Sequence, residues 1–436
     1  MNWSWIFRVV WMLCLGVNDM SREMKDSGVE WIGEIPEEWQ IIKLKYLGNY
    51  INGYAFKPDD WGEEGTPIIR IQDLTGSNDK PNYYNGDLNQ KYLVKKGDIL
   101  VSWAATLDAF MWEKDAGWLN QHIFKVIPNE KIIERNFSFW LLKVAMENMN
   151  NDNKHGIFMQ HVPLDVFENF LTPVPSKAEQ RKICSYLKSK IDNVNSIIKK
   201  TKLCICDYKK LKETLVIQTT TQGIYKRRKM KKTNIEWLED IPFDWKECRI
   251  KNVIFPVMKE VYDTDEIVTC FRDGTVTLRK NRREDGFTVS FTEKGYHGVE
   301  KGDLVIHGMD AFAGAIGCSD SRGKITPVVH VCTTTGNNRY FMYFLRSMSY
   351  GNILMDLSNG VRIRSSDYRN FTKLGMFKIC VPPIEEQNLI VVFLDKKVNE
   401  IEKIIEKKQE FLLNLELYKK SLIYEYVTGK KEVPES

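Results

Sequence analysis

The sequence predicts a mixed α/β protein in which two pseudo-symmetric globular domains are joined by two long antiparallel coiled-coil helices. Two observations lead to this prediction. The chain repeats itself after about 206 residues, and each copy ends in a long segment with the apolar spacing of a coiled coil. With 436 residues, 43% of them hydrophobic, the chain is long and apolar enough to form two buried cores.

The duplication is visible at three landmarks that recur in the same order. A Glu-Trp segment ending in Ile-Pro-x-x-Trp, a Lys-Gly-Asp turn and a Glu-Gln pair each occur twice, separated by 205 to 207 residues. Because three landmarks keep a nearly constant separation, they indicate internal repetition with two units. The matching segments are residues 30–39 and 236–245, 96–98 and 301–303, and 179–180 and 386–387.

Each copy is expected to contain short strands and one short amphipathic helix before its long helix. Apolar runs bounded by turn residues predict the strands, and a glycine-containing loop follows each predicted short helix. The predicted strands are residues 66–72, 98–103, 267–271 and 303–306, and the predicted short helices are residues 137–149 and 339–349.

Each copy then closes with a predicted helix of about 45 residues, or roughly 65 Å at 1.5 Å per residue. The first helix begins at a Ser176-x-x-Glu179 capping box, and the second follows two consecutive prolines. Apolar residues recur every three or four positions, interrupted by Thr201 in the first helix and Lys408 in the second. The predicted coiled-coil seam consists of Ile183, Leu187, Ile191, Val194, Ile198, Ile205, Leu215, Ile390, Leu394, Val398, Ile401, Ile405, Leu412, Leu415 and Leu422.

A long helix with a single apolar seam needs a partner, and the nearest candidate is its own repeat. An antiparallel pair would hold the two globular domains at its opposite ends. The seam by itself says little about function, because coiled coils occur in many classes of protein.

Positive charge is concentrated in the middle of the chain. Residues 176–232 contain 17 Lys and Arg against 4 Asp and Glu, whereas residues 383–430 contain 8 against 9, and the whole chain has a net charge of +5. Six of the seven residues from 226 to 232 are basic. Such a run could bind the phosphate backbone of a nucleic acid, but a solvated connector has the same composition. Composition alone leaves both interpretations open.

The cysteine pattern indicates the compartment. Nine scattered cysteines without a Cys-x-x-Cys pair are typical of reduced thiols in the cytoplasm and argue against a zinc site. The apolar residues 3–17 leave two readings open, a signal peptide or an upstream start codon with Met20 and Met24 as alternative starts. Because this run is too short to span a bilayer, we expect a cytoplasmic protein.

These features divide the chain into seven segments. They are an N-terminal extension at residues 1–23 that we expect outside the fold, a first globular domain at 24–175, a central helix at 176–222, a basic linker at 223–234, a second globular domain at 235–382, a C-terminal helix at 383–430 and a tail at 431–436.

Both globular domains carry clusters of side chains suited to DNA. Arginine forks suit guanine edges and phosphates, whereas Asn and Gln suit adenine. For any single residue a solvated surface charge is the more common explanation, so the pair of clusters is better support than any one member. The DNA-binding candidates are Arg70, Gln72, Lys154, His155, Gln160, His161, Arg272, Arg279, Lys280, Arg282, Arg283, Arg362, Arg364 and Arg369.

Signatures of catalysis are missing from the sequence. It contains no phosphate-binding loop, no dinucleotide-binding glycine fingerprint, no Asn-Pro-Pro-Tyr motif for methylating an amino group and no carboxylate-lysine set of a nuclease metal site. Its six histidines form no metal-ligand pair of useful spacing. We therefore expect a binding protein without catalytic residues, metal or cofactor of its own.

Four features together resemble the specificity subunits of Type I restriction-modification enzymes. They are the segment 27–39, the paired Lys-Gly-Asp turns, the prolines before each Glu-Gln pair, and the closing segments 418–423 and 427–429. The resemblance covers nearly all of residues 24–430, and its order, spacing and duplication agree.

This resemblance implies that each globular domain is a target-recognition domain that reads one half of a split double-stranded DNA site, with the helices as a ruler between them. It also implies a non-catalytic subunit that docks two modification subunits, which bind S-adenosylmethionine, and restriction subunits, which use ATP and Mg²⁺. Two alternatives stay open. One is an inactive or orphan specificity copy acting only as a coiled-coil interaction protein, and the other is a self-contained DNA-modifying enzyme.

Overall fold

The computed structural model describes residues 22–77, 80–152, 161–225, 227–282, 294–356 and 368–434. The chain divides into two compact units. Unit 1 contains residues 1–199 and 412–436, and unit 2 contains residues 200–411. Because both unit boundaries fall inside a long helix, each long helix begins in one unit and ends in the other.

Unit 1 consists of short strands, short helices and parts of both long helices. Its strands are β1 (Met24–Asp26), β2 (Glu34–Pro36), β3 (Gln40–Lys43), β4 (Gly48–Asn52), β5 (Thr66–Ile69), β6 (Asn82–Tyr84), β7 (Leu93–Val94), β8 (Ile99–Ser102), β9 (Asp108–Met111), β10 (Gly117–Leu119), β11 (Ile123–Pro128) and β12 (Leu171–Val174). Its helices are α1 (Leu44–Leu47), α2 (Ile71–Thr75), α3 (Arg135–Asp152), α4 (Leu164–Asn169) and the first part of α5 (Lys177–Gln222).

The core of unit 1 lies between helix α3 and an antiparallel sheet in the order β4-β11-β8-β9. Because alternate residues of a strand point to opposite faces, β8 serves two cores. Ile99 and Val101 are fully buried in one cluster with Phe137 and Leu141 of the helix. Leu100, on the other face, is buried in a different cluster, which includes side chains from the strands of the second sheet. That second sheet has the order β6-β5-β10-β7, in which β5 and β10 run parallel.

Unit 2 repeats this plan. Its strands are β13 (Met230–Lys232), β14 (Asp240–Pro242), β15 (Lys246–Arg249), β16 (Ile254–Pro256), β17 (Val268–Cys270), β18 (Val276–Leu278), β19 (His297–Val299), β20 (Leu304–His307), β21 (Ile316–Cys318), β22 (Gly323–Ile325), β23 (Val329–Thr334) and β24 (Lys378–Val381). Its helices are α6 (Asn338–Tyr350), α7 (Ile353–Asp356), α8 (Phe371–Gly375) and the first part of α9 (Ile384–Val427).

The core of unit 2 uses the same alternation. Its antiparallel sheet has the order β16-β23-β20-β21. Leu304 and Ile306 are buried against Tyr340 and Phe344 of helix α6, whereas Val305 on the opposite face belongs to a separate apolar cluster. The antiparallel sheet that packs on the helix is therefore repeated in both units, as the sequence repeat predicts. The other sheets differ, because unit 2 has two two-stranded sheets, β17-β18 and β19-β22, in place of the second four-stranded sheet of unit 1.

The long helices have 46 and 44 residues, close to the predicted 45. In unit 1, the rings of Tyr186 and Tyr426 lie 4.7 Å apart, and Lys419 donates to the side-chain oxygen of Asn195 at 2.9 Å. As the residue number increases along α5, the residue number of its contact partner in α9 decreases. The two helices are therefore antiparallel in this unit.

The same direction holds in unit 2. Lys212 donates to the carboxylate of Glu402 at 3.2 Å, and the ammonium of Lys408 lies 5.9 Å from the ring centroid of Tyr208. Every residue of the predicted seam is buried or half-buried, and Thr201 is buried too. The predicted fold class of two mixed α/β units with two long antiparallel helices is confirmed.

A buried carboxylate joins the start of α9 to the first strands of unit 2. The indole N–H of Trp245 donates to Glu386 at 2.9 Å, and the Arg228 guanidinium bonds both carboxylate oxygens of Glu386. Arg228 also lies 5.7 Å from the Trp245 ring centroid. A charge-assisted pair of this kind fixes both distance and orientation.

Unit 1 contains the same anchor at the start of α5. The indole N–H of Trp39 donates to Glu179 at 3.0 Å, and the Arg22 guanidinium bonds the same carboxylate at 2.6 and 3.0 Å. Arg22 belongs to the extension 1–23 that we expected outside the fold, so this residue has to be added to the folded part. Its counterpart, Arg228, belongs to the basic linker.

The glutamine of each Glu-Gln pair performs a second structural task. Gln180 donates to the carbonyl of Pro175 at 2.9 Å, and Gln387 donates to the carbonyl of Pro382 at 3.0 Å. Each amide oxygen also accepts from the backbone N–H just before α3 or α6, at 2.6 and 3.0 Å. The Glu-Gln landmark therefore fixes the start of each long helix to the rest of its unit.

Three sequence expectations need correction. The predicted strand 66–72 ends at Ile69, because the Asp73 carboxylate accepts the Arg70 N–H at 2.9 Å and starts a short helix there. The predicted capping box is only half formed, because Ser176 accepts from the N–H of Glu179 at 3.3 Å while the Glu179 carboxylate is used elsewhere. Part of the basic linker forms β13, which pairs with β14, so it is not a loose connector.

We predict that Glu386→Ala destabilises the protein by roughly 3 kcal/mol, because it leaves the buried Trp245 N–H without an acceptor and Arg228 with Asp244 as its remaining carboxylate partner. Only 7% of the Glu386 side chain and 14% of the Arg228 side chain are exposed. Glu179→Ala should cost less, since 21% of that side chain is exposed. Urea unfolding followed by tryptophan fluorescence measures both changes.

The exposed neighbour Glu385 provides the matched control. Glu385→Ala should shift the unfolding midpoint little. If Glu386→Ala and Glu385→Ala shift it equally, the buried carboxylate is not the anchor of this unit.

Candidate nucleic-acid interface

Unit 1 gathers polar side chains where two parallel strands end. Strands β5 and β10 are in register at Ile68 with Trp118, and the Asn120 N–H continues the ladder to the Ile69 carbonyl at 3.2 Å. Parallel strands place their carboxyl ends at the same edge of a sheet. Residues 70–72 and 120–122 therefore lie at one edge, which we call the polar edge of unit 1.

The sequence-predicted residues Arg70 and Gln72 occupy this edge together. The Arg70 guanidinium donates to the side-chain oxygen of Gln72 and lies 5.5 Å from the ring centroid of Trp61. A guanidinium held against an aromatic ring keeps its outer N–H groups available for a further acceptor. The arrangement suits a phosphate or a purine edge.

A second group at the edge consists of Gln121, His122 and Trp103. The side chains of Gln121 and His122 contact each other at 3.3 Å between their terminal nitrogens, and His122 is exposed. The Trp103 and His122 rings lie 5.3 Å apart in an edge-to-face arrangement. Trp103 is itself fixed, because its indole N–H donates to Asn52 at 3.3 Å and its ring stacks on Phe124 at 5.8 Å.

The loop after β8 brings His161 to the same place. Ala104 and His161 form an antiparallel bridge, and the N–H of Val162 donates to the Trp103 carbonyl at 2.9 Å. Ala105 has a φ of +59°, a strained conformation for a residue with a side chain. Strain of this kind is common where a loop presents groups for binding.

The structure thus places three predicted residues of unit 1, Arg70, Gln72 and His161, around one edge. Lys154, His155 and Gln160 lie outside the described residues. Sequence reasoning missed the other members of the edge, which are Trp61, Trp103, Gln121 and His122. The run Asn120-Gln121-His122 between two apolar strands is the feature of the sequence that points to them.

Three basic candidates of unit 2, Arg272, Lys280 and Arg282, lie in ion pairs. Arg272 pairs with Asp310 at 2.9 Å, and Lys280 pairs with Glu266 at 2.5 Å. Arg279 donates to the Thr269 hydroxyl at 3.3 Å. Exposed pairs add little stability, but they cancel the local positive charge. Arg283, Arg362 and Arg364 lie outside the described residues, and Arg369 directly follows Tyr368 at the edge formed by the β20 loop.

Arg282 and Asp273 form the most complete of these pairs. The guanidinium bonds both carboxylate oxygens at 3.0 and 2.6 Å and lies 4.4 Å from the ring centroid of Phe271. Burial alone would raise the pKa of Asp273, but hydrogen bonds from Arg282 and Thr275 lower it to about 2. The pair holds the turn between β17 and β18.

His307 ends strand β20 as a neutral acceptor. Its Nδ1 accepts from the backbone N–H groups of Asp310 at 3.1 Å and of Met309 at 3.3 Å. Burial lowers the pKa of His307, although the Asp310 carboxylate acts in the opposite direction. A neutral imidazole with Nδ1 occupied leaves its Nε2–H as the donor.

No three His, Cys, Asp or Glu side chains come together to hold a metal ion within the described residues. Among the helices of that same part of the chain, none is long and apolar enough to cross a membrane.

Comparison with known proteins identifies relatives across most of the chain. A family model described as the Type I restriction modification DNA specificity domain matches residues 36–205. The Type I restriction enzyme EcoBI specificity subunit of Escherichia coli is 24% identical over 280 residues, covering 62% of this chain and 58% of its own length. The MjaVIII specificity subunit of Methanocaldococcus jannaschii is 23% identical over 419 residues, covering 92% of this chain and 94% of its own length.

The fold has a solved counterpart as well. A chain from a structure of complex assembly and conformational transition of the type I R-M system has a TM-score of 0.65 and 13% identity, and the match covers 91% of this chain and 99% of that chain. At this identity the likeness concerns the fold.

The duplicated units and the two long helices occur together with a family model and relatives that indicate a DNA-specificity protein. Residues 36–205 match the Type I restriction modification DNA specificity domain, and the relatives that match this chain are specificity subunits of Type I restriction enzymes. The names of its relatives are those of specificity subunits, so the sequence-based assignment to this family is confirmed.

We predict that Arg282→Ala raises the pKa of Asp273 from about 2 towards the ordinary value, because the hydrogen bonds and charge of Arg282 are lost while burial and the hydrogen bonds from Thr275 remain. A lowered carboxyl pKa stabilises the folded state above the unfolded pKa of about 4, and this contribution is lost as the pH falls towards 2. The stability difference between wild type and Arg282→Ala should therefore shrink between pH 4 and pH 2.

A carboxyl NMR titration, assigned with Asp273→Asn, measures this pKa. Arg272→Ala is the control, because Arg272 pairs with Asp310 and should leave the pKa of Asp273 in place. An Asp273 pKa that stays near 2 in Arg282→Ala would contradict the assigned cause.

Proposed function

We propose that this chain is the DNA-specificity subunit of a Type I restriction-modification complex, in which each unit reads one half of a bipartite site. One observation carries this proposal. The loops that end equivalent strands have the same backbone hydrogen bonds in both units but different side chains. Unit 1 presents Trp103 and His122 where unit 2 presents Gly308 and Val328. Two readers on one frame suit two different half-sites.

The long helices are the part that sets the spacing between the half-sites in this proposal. Each helix belongs partly to unit 1 and partly to unit 2, and each unit contains an antiparallel segment of the pair. Two helices packed along a continuous apolar seam resist bending better than one. A stiff connection favours one separation between half-sites over others.

The partners follow from the family. We expect double-stranded DNA as the ligand, and two modification subunits and the restriction subunits as protein partners in the cytoplasm. S-adenosylmethionine would bind to the modification subunits, and ATP and Mg²⁺ to the restriction subunits. The chemistry would then belong to those subunits, and this chain would decide where on the DNA it occurs.

The proposal predicts one bipartite methylated motif that depends on this chain. Expressing the chain with its modification subunits in a host without other methyltransferases should add that motif to the methylome. The same host without this chain should lack it. An unchanged methylome in the presence of active modification subunits would contradict the function.

The proposal also predicts how the length of the spacer changes when both helices are lengthened. A seven-residue insertion after Leu203 and another after Phe411 preserve the phase of the apolar seam. They lengthen the pair by about 10 Å, or roughly 3 base pairs at 3.4 Å each. The methylated motif should therefore keep both half-sites and gain about 3 base pairs of spacer.

The control carries the same seven residues after Pro434, close to the end of the chain. This variant should keep the original spacer. If the paired insertion leaves the spacer unchanged while methylation persists, the helices do not set it.

A further inference from the structure

We propose that Gln121 and His122 are base-reading residues of unit 1 and that the equivalent positions of unit 2 read no bases. The inference rests on the proposed DNA-specificity function and deepens it. It names side chains that decide one half-site only, so changing them should alter one half of the recognised sequence.

The equivalence of the two edges is set by backbone geometry. The N–H of Trp103 donates to the His122 carbonyl at 3.3 Å, and the N–H of Gly308 donates to the Val328 carbonyl at 2.9 Å. The strand registers agree, because β8 pairs Ser102 with the residue after His122, and β20 pairs His307 with the residue after Val328.

The next bond of the loop is also shared. The N–H of Val162 donates to the Trp103 carbonyl at 2.9 Å, and the N–H of Tyr368 donates to the Gly308 carbonyl at 2.8 Å. Trp103 and Gly308 therefore occupy one position of a common frame, and so do His122 and Val328. The residue before each of the latter is Gln121 in unit 1 and Pro327 in unit 2.

Unit 1 holds its pair of polar side chains in place. The His122 ring rests edge-to-face on Trp103, which is fixed by Asn52 and Phe124, and the Gln121 amide contacts the imidazole at 3.3 Å. A side chain held in this way loses less conformational entropy on binding than a free one. Trp103 has its single donor occupied and acts as a positioning residue.

The chemistry of the pair suits base edges. A Gln amide offers one acceptor and two donors, which matches the acceptor and donor that adenine shows in the major groove. An imidazole can donate to a purine acceptor beside it. The neighbouring Arg70 and Gln72 lie at the same strand edge, where they can contact the adjacent base or phosphate.

Unit 2 cannot build the same reader. A Cβ atom at Gly308 would lie 2.8 Å from the Val328 carbonyl oxygen and 3.1 Å from the Arg369 backbone, so no aromatic residue fits in place of Trp103. Val328 and Pro327 have no side-chain donor or acceptor. Hydrogen-bond readout of the second half-site therefore has to come from other residues of unit 2.

The test uses the full chain with its modification subunits and DNA, read by methylome sequencing. Gln121→Ala and His122→Val, the latter introducing the side chain type of unit 2, should relax or change the sequence of one half-site. Discrimination at the affected base should fall about 10- to 100-fold. The other half-site and the spacer should remain as in the wild type.

Two control variants sharpen the result. Lys131→Ala removes an exposed positive charge beyond the opposite end of β11, and Val328→Ala truncates the equivalent position of unit 2. Both should leave the motif unchanged. A melting temperature for each variant separates altered reading from a loss of folding, and the exposed His122 should tolerate replacement.

The outcomes distinguish this inference from the function on which it rests. If the wild-type chain directs no bipartite methylation, the proposed function fails. If the wild type directs it and folded Gln121→Ala and His122→Val chains keep both half-sites unchanged, the inference is overturned while the function stands. Loss of both half-sites together in a folded variant also overturns it.

Discussion

The interaction on which the rest of the structure depends is the carboxylate that begins each long helix. Glu386 holds Trp245 and Arg228 in unit 2, and Glu179 holds Trp39 in the same way in unit 1. In each unit, the C-terminal end of the other long helix lies next to this anchor. A Cβ at Gly223 would lie 2.5 Å from the Glu386 carboxylate, and one at Gly429 would lie 2.5 Å from a proline next to Trp39. Both glycines also have positive φ, so a side chain there is disfavoured both by the short Cβ contact and by the backbone conformation.

This anchor separates what is constant in each unit from what varies. The Trp-Glu-Arg set, the buried glutamine and the backbone bonds of the edge loops occur in both units. Because backbone bonds hold these loops, exposed side chains on them can change without loss of the frame. The residues that hold the fold are therefore distinct from the exposed residues of the edge loops, so two units with one frame can present different side chains.

The sequence predicts the frame much better than the reader. The seam was predictable residue by residue because helix periodicity is local, and the duplication supplied an independent check. The polar edge was not predictable from the sequence, because it depends on the parallel pairing of β5 with β10, which lie about fifty residues apart. Gln121 and His122 look like an ordinary turn until that pairing is known. The ion pairs of Arg272 and Arg282 are equally hidden, since Asp310 lies 38 positions from its partner.

These ion pairs change how the charge of the chain should be understood. In unit 2 three basic candidates are neutralised by carboxylates, and in the linker Arg228 serves the anchor. Many lysines of α5 are exposed instead. Affinity for a phosphate backbone grows with the number of unpaired cations, whereas discrimination grows with fixed polar groups at base edges. The paired residues Arg272, Lys280 and Arg282 are therefore less suited to attracting DNA than the exposed lysines of α5, and the polar edge is better suited to choosing among sequences than to holding them.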